Sequence, residues 1–123
     1  MTEPDVPAVV RQGVRLFNRG RYLDAQVVWE DAWREAPTDA RAFLEALVQL
    51  AGGLQLRTRR GGMRGAEHLL SQALATLEDY RPAAHGLDVE AVVNEFGAYV
   101  DWIKTIRRPH RLTDALRIPR LKA

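Results

Sequence analysis

The chain has 123 residues, 46% of them hydrophobic and 28% charged, the balance of one globular domain rather than of a disordered or fibrous chain. It has no cysteine, which excludes disulfides and thiolate chemistry, and no run near the roughly 20 apolar residues that a membrane span needs. The net charge of +2 hides an asymmetry: up to Ile103 there are 11 Lys and Arg against 15 Asp and Glu, and from Lys104 onward 7 against 1.

This pattern divides the chain into a helical body, residues 1–103, and a basic C-terminal tail, residues 104–123. A body of this size buries roughly two thirds of its unfolded surface, enough for a core without disulfides or metals. The opening MTEPDVPAVV is acidic and lacks an apolar run fit for a signal peptide. With the missing cysteines, this makes cytoplasmic the expected location and a membrane partner unexpected.

Five helical segments are predicted and no strand. The first covers about Pro7 to Asn18, with Val9, Val10, Val14 and Phe17 apolar, and Gly20 ends it or begins the turn. The second, GRYLDAQVVWEDAWRE, places Tyr22, Ala25, Trp29, Ala32, Trp33 and Ala36 at steps of three and four. Pro37 stops it, and Thr38 or Asp39 offers an N-cap for the next helix.

The third helix runs from about Ala40 to Arg59. Phe43, Leu44, Leu47, Val48, Leu50, Ala51, Leu54 and Leu56 nearly surround it, so it is predicted to be the central helix. Its Gly52-Gly53 pair costs about 2 kcal/mol of helix propensity relative to alanine, tolerable where another helix crosses closely. RRGGMRG then turns into a fourth helix, about Arg64 to Tyr80, with Leu69, Leu70, Ala73, Leu74 and Leu77 inward. Pro82 and Gly86 break it, and Asp88 caps a fifth carrying Val89, Val92, Val93, Phe96, Val100 and Ile103.

A weak internal echo pairs Gly20, Ala25, Ala32 and Pro37 with Gly61, Ala66, Ala73 and Pro82. The expected fold is therefore an all-α compact bundle of about five helices built from two related helical hairpins. It is weakly tetratricopeptide-like over one unit, but the third helix is too long and too apolar for a repeat array.

The stretch LFNRGRYLDAQVVWEDAWRE, followed by RAFLEALVQLAGGLQL and RGGMRGAEHLL, resembles domain-of-unknown-function family 309 over about Leu16 to Tyr80. The motif positions matched are Phe17, Asn18, Gly20, Tyr22, Ala25, Trp29, Glu30, Trp33, Phe43, Leu44, Leu47, Gln49, Ala51, Gly61, Gly65 and Ala66. The resemblance implies an all-α fold and names no activity. Where the family has His-Glu on the second helix and a second His on the third, this chain has Gln26-Val27 and Gln55. Imidazole and carboxylate converging from two helices could hold a metal; a neutral amide is a weak ligand, so no metal or other cofactor is expected here.

Three surfaces are candidate sites. Tyr22, Gln26, Trp29, Glu30, Trp33, Gln49 and Gln55 read either as a small ligand pocket with a few convergent polar groups or as a core. In the core reading the Gln26 amide bonds Tyr22, Glu30, Gln49 or a water. Arg57, Arg59, Arg60 and Arg64 flank a glycine turn that opens a helix, either an anion site or a solvated turn; the run lacks the Gly-Lys-Ser/Thr ending of a nucleotide-binding loop. The tail carries Lys104, Arg107, Arg108, Arg111, Arg117, Arg120 and Lys122. It reads as a non-specific nucleic-acid arm or, through Leu112, Leu116, Ile118 and Leu121, as a segment docked on the body or on a second subunit.

Catalytic patterns are thin. His68, His85 and His110 fall on separate segments, Ser71 is the only serine, and Glu30 beside Trp33 is a lone carboxylate. Enzymatic activity is thus neither indicated nor excluded. The leading expectation is a non-enzymatic binding or protein-interaction module and candidate homodimer, with partner unknown. The alternatives are a small-molecule protein or enzyme using the Gln/Glu/Trp pocket, and a nucleic-acid accessory protein using the tail.

Overall fold

A computed structural model describes residues 4–58, 65–106 and 117–123 in full, and the helical backbone of 59–60 and 63–64. Five α-helices follow in chain order: α1 Val6–Asn18, α2 Tyr22–Glu35, α3 Thr38–Arg60, α4 Met63–Leu77 and α5 Val89–Thr105, with a 3-10 turn Glu78–Tyr80 after α4. Among the described residues there is no strand, and no helix is long and apolar enough to cross a membrane.

Local chemistry sets the helix ends. Asp5 caps α1 by accepting from the Ala8 N–H at 3.2 Å, and Asp88 caps α5 by accepting from Ala91 at 3.0 Å. Gly20, at φ +78, makes the turn into α2. α3 begins at Thr38, earlier than the sequence suggests. The Pro37 carbonyl accepts from Ala40 at 3.0 Å, so Thr38 and Asp39 sit inside the first turn, where Asp39 complements the dipole. Between α4 and α5, Ala84 and Leu87 bond reciprocally across His85 (φ +50) and Gly86 (φ +80), both central residues left-handed as in a tight primed turn.

α3 is the central helix, packed on α2 along one side and α4 along the other. Phe43, Leu44, Leu47, Leu50, Ala51 and Leu54 are fully buried on it, and each large side chain contributes about 1.5–3 kcal/mol. The two hairpins, α1–α2 and α3–α4, meet along α2–α3, and α5 closes on α4. Ala25 and Ala32 on α2 and their echoes Ala66 and Ala73 on α4 are all buried; small side chains bring each second helix close to its partner. Gly61 lies outside the described residues.

Glycines mark the closest crossings. A Cβ at Gly53 would stand 2.9 Å from Leu70 and 3.3 Å from the Ala66 carbonyl of α4. A Cβ at Gly13 of α1 would fall inside the Trp29 indole, against Cε2 and Nε1. Phe17 joins α1 to the rest of the core through Tyr22 (5.0 Å), Trp29 (6.2 Å) and Phe96 of α5 (5.8 Å).

Candidate functional site

The residues of the predicted aromatic-amide cluster take up four different settings. Tyr22 and Trp29 belong to the core. Burial, with a smaller effect of Tyr99, pushes the Tyr22 hydroxyl up to about 12. The Trp29 indole N–H is buried and has no hydrogen-bond partner among the described residues, a state that costs about 1–3 kcal/mol. Gln26 is half-buried and lies along Gly52 of α3: a Cβ there would be 3.5 Å from its Nε2 and 3.8 Å from its Oε1. No hydrogen bond joins the Gln26 side chain to a described residue.

The other members face outward or elsewhere. Glu30 pairs with Arg34 at 3.2 Å, and Arg34 also reaches Asp31 at 2.9 Å. Half-buried Trp33 lies under the Arg41 guanidinium at 4.8 Å. Gln49 lines a shallow groove of about 360 Å³ between α3 and α4, with Glu45, Gln72 and Thr76. Gln55 is half-buried further along α3. Among the described residues no three His, Asp or Glu side chains gather where they could hold a metal. His68 is exposed on α4, His85 packs on the Phe43 ring at 4.8 Å, and His110 lies outside the described residues.

At the arginine turn, Arg57 is buried near the end of α3. The side chains of Arg59, Arg60 and Arg64 lie outside the described residues. The two helices are close here: a Cβ at Gly65 would stand 2.6 Å from the Leu56 side chain.

The third surface is the most fully built. Lys104, on the last turn of α5, reaches Glu67 of α4 at 3.9 Å. Arg107, Arg108, Arg111, Leu112 and Leu116 lie outside the described residues. From Arg117 the chain runs back along α5 toward its start. Arg117 stacks on Trp102 at 4.6 Å, Ile118 packs against the core, Leu121 is only 3% exposed, and Lys122 pairs with Glu95 at 3.5 Å.

The backbone of this segment is held as well. The Leu121 N–H donates to Asn18 Oδ1 at 2.8 Å, and Asn18 Nδ2 donates to the Leu121 carbonyl at 2.9 Å. The Asp88 N–H donates to the Lys122 carbonyl at 2.8 Å. One side-chain amide thus serves both polar groups of one residue, in place of a neighbouring strand. Beside this seam an open groove of about 530 Å³ is lined by Arg15 of α1 and Arg19 at its C-cap and by Arg120 and Lys122 of the segment.

Asn18 was visible in the sequence as a motif position at the end of α1, but its partner is 103 residues away. Arg15 and Arg19 gave no signal by themselves, because basic residues in the last turn of a helix have an ordinary role opposite the dipole. The docked reading of Ile118 and Leu121 describes the segment observed.

No curated protein matches the chain. Residues 10–69, just under half of the chain and extending from α1 into α4, match the model of the family described as Domain of unknown function (DUF309), the family that the sequence motifs resemble.

Proposed function

We propose that the protein is a non-enzymatic interaction module whose working surface is the slot between the end of α1 and α5. In this reading the slot holds a short extended peptide, and residues 117–123 are the occupant supplied by the chain itself. The observation that carries it is the Asn18 amide bonded to both the N–H and the carbonyl of Leu121. Backbone bonds of this kind grip an extended segment whatever its sequence, and one buried side chain then supplies the selectivity. Leu121 fills that position.

Covalent attachment gives the chain's own segment a higher effective concentration than a free peptide reaches. A free peptide therefore competes poorly with the parent protein. The test uses the full chain with Leu121→Arg, which empties the slot, and a labelled peptide of the sequence RIPRLKA followed by fluorescence anisotropy. The emptied variant binds the peptide and the parent does not, and adding Asn18→Ala abolishes the binding. A folded Leu121→Arg protein that leaves the peptide free overturns the reading. Leu121→Ala serves as the milder variant, with folding checked by circular dichroism.

A further inference from the structure

The exposed arginines along α1 differ from several other surface cations, which are held by carboxylates. Arg21 pairs with Asp24, Arg34 with Glu30 and Asp31, Arg81 with Glu78 and Glu90, and Lys104 with Glu67. Arg11, Arg15 and Arg19 are exposed and make no ion pair with any described residue. They stand four residues apart, Arg11 and Arg15 along α1 and Arg19 at its C-cap. Like charges at this spacing oppose each other and weaken a helix, and the dipole favours only those in the last turn.

Two further cations reach this surface. Arg120, exposed and likewise without an ion pair among the described residues, and Lys122 arrive on the docked segment and line the same open groove as Arg15 and Arg19. The fixed docking through Asn18 and Leu121 therefore joins cations from the two ends of the chain into one surface.

We propose that this surface binds the phosphodiester backbone of a nucleic-acid strand, without reading its sequence. The arginines on α1 advance about 6 Å per step of four residues, a spacing of the order of that between successive phosphates on an extended strand. Guanidinium groups match phosphate oxygens with paired hydrogen bonds. No aromatic side chain lines the groove, so bases find no stacking platform. The groove also lacks exposed large apolar side chains of the kind that enter a lipid surface: Leu121 is buried. The proposal needs only the docked segment and is independent of peptide exchange.

The test is a fluorescence-anisotropy titration of the full chain with a labelled oligothymidylate strand over a range of salt concentrations. Affinity falls steeply with salt, the logarithmic slope being about −0.7 for each phosphate neutralised. The triple variant Arg11→Gln, Arg15→Gln, Arg19→Gln binds at least tenfold more weakly and flattens the slope by about 2, while its melting temperature stays level or rises. Arg21→Gln with Arg34→Gln leaves binding unchanged. Asn18→Ala, which removes no charge, weakens binding by releasing Arg120 and Lys122.

Four results would overturn the proposal. They are no binding at low salt, a triple variant with the parent's affinity and slope, an Asn18→Ala protein with the parent's affinity, or capture by phosphatidylglycerol vesicles without capture of the strand.

Discussion

Gly13→Ala is the sharpest test of how the bundle is packed. On an exposed helix the change gains about 1 kcal/mol of propensity. Here the new Cβ would enter the Trp29 indole, with Cζ2 at 2.6 Å, about 1 Å inside the ordinary carbon contact distance. The ring is fully buried and is braced by Phe17, so it has no solvent to move into. Overpacking of a sealed site costs about 3 kcal/mol, leaving a net loss of about 2 kcal/mol. For a chain of this length that is a fall in melting temperature of about 6–10 °C. Thermal melts followed by circular dichroism read it directly. Trp29→Phe shortens the ring and opens the space, so Gly13→Ala in that background becomes neutral or stabilising. The double-mutant cycle then shows a coupling above about 1 kcal/mol. A Gly13→Ala protein that melts with the parent, or a cycle without coupling, refutes the close α1–α2 contact.

The adjacent glycines of α3 are expected to respond with opposite signs in the same melts. Gly52→Ala meets Gln26 only at ordinary contact distance and stabilises by up to about 1 kcal/mol, whereas Gly53→Ala presses on Leu70 and the Ala66 carbonyl and destabilises by about 1–2 kcal/mol. Tyr22, buried and held protonated with a pKa near 12 against 10 for a free tyrosine, gives stability that is complete below pH 10 and is lost as pH rises from 10 toward 12. Denaturant titrations across that window measure a fall of about 2–3 kcal/mol, and Tyr22→Phe removes that part of the pH dependence. Asn18→Ala deletes both bonds to Leu121 and is expected to cost about 2 kcal/mol, with faster hydrogen exchange at the Leu121 amide. Exchange at Leu121 that is unaltered by the substitution contradicts the docked segment.

The helices were legible because their signals are local. Asp88, Pro37 and Gly20 punctuate the chain by their own backbone chemistry. The ring of apolar residues from Phe43 to Leu56 forecast a helix buried on both sides, and α2 and α4 now flank it. The Gly52-Gly53 pair forecast a close crossing, which Gly53 makes with α4, while Gly52 lies beside Gln26 at ordinary contact distance.

The aromatic-amide cluster was harder to place because α2 packs on α1 and α3 at once. Trp29 turns toward Gly13 of α1 and Gln26 toward Gly52 of α3, a division that a single apolar stripe does not reveal. Gln49 sits on a helix apolar nearly all round, so periodicity gave it no preferred face. The clamp between Asn18 and Leu121 has no local signature in the sequence, since either residue has an ordinary reading in isolation.

That clamp also has a consequence for the order of events during synthesis. The successive helix pairs can form as each helix is made, because their contacts join neighbours in the chain. Asn18 must wait for a residue 103 positions downstream. At about 5–20 residues per second, translation leaves its amide, and the patch that Leu121 later covers, open for at least about 5 s. Once α5 has followed, and until Leu121 arrives, the nascent bundle presents an uncovered slot to whatever extended chain is near, including the emerging chain of a neighbouring ribosome.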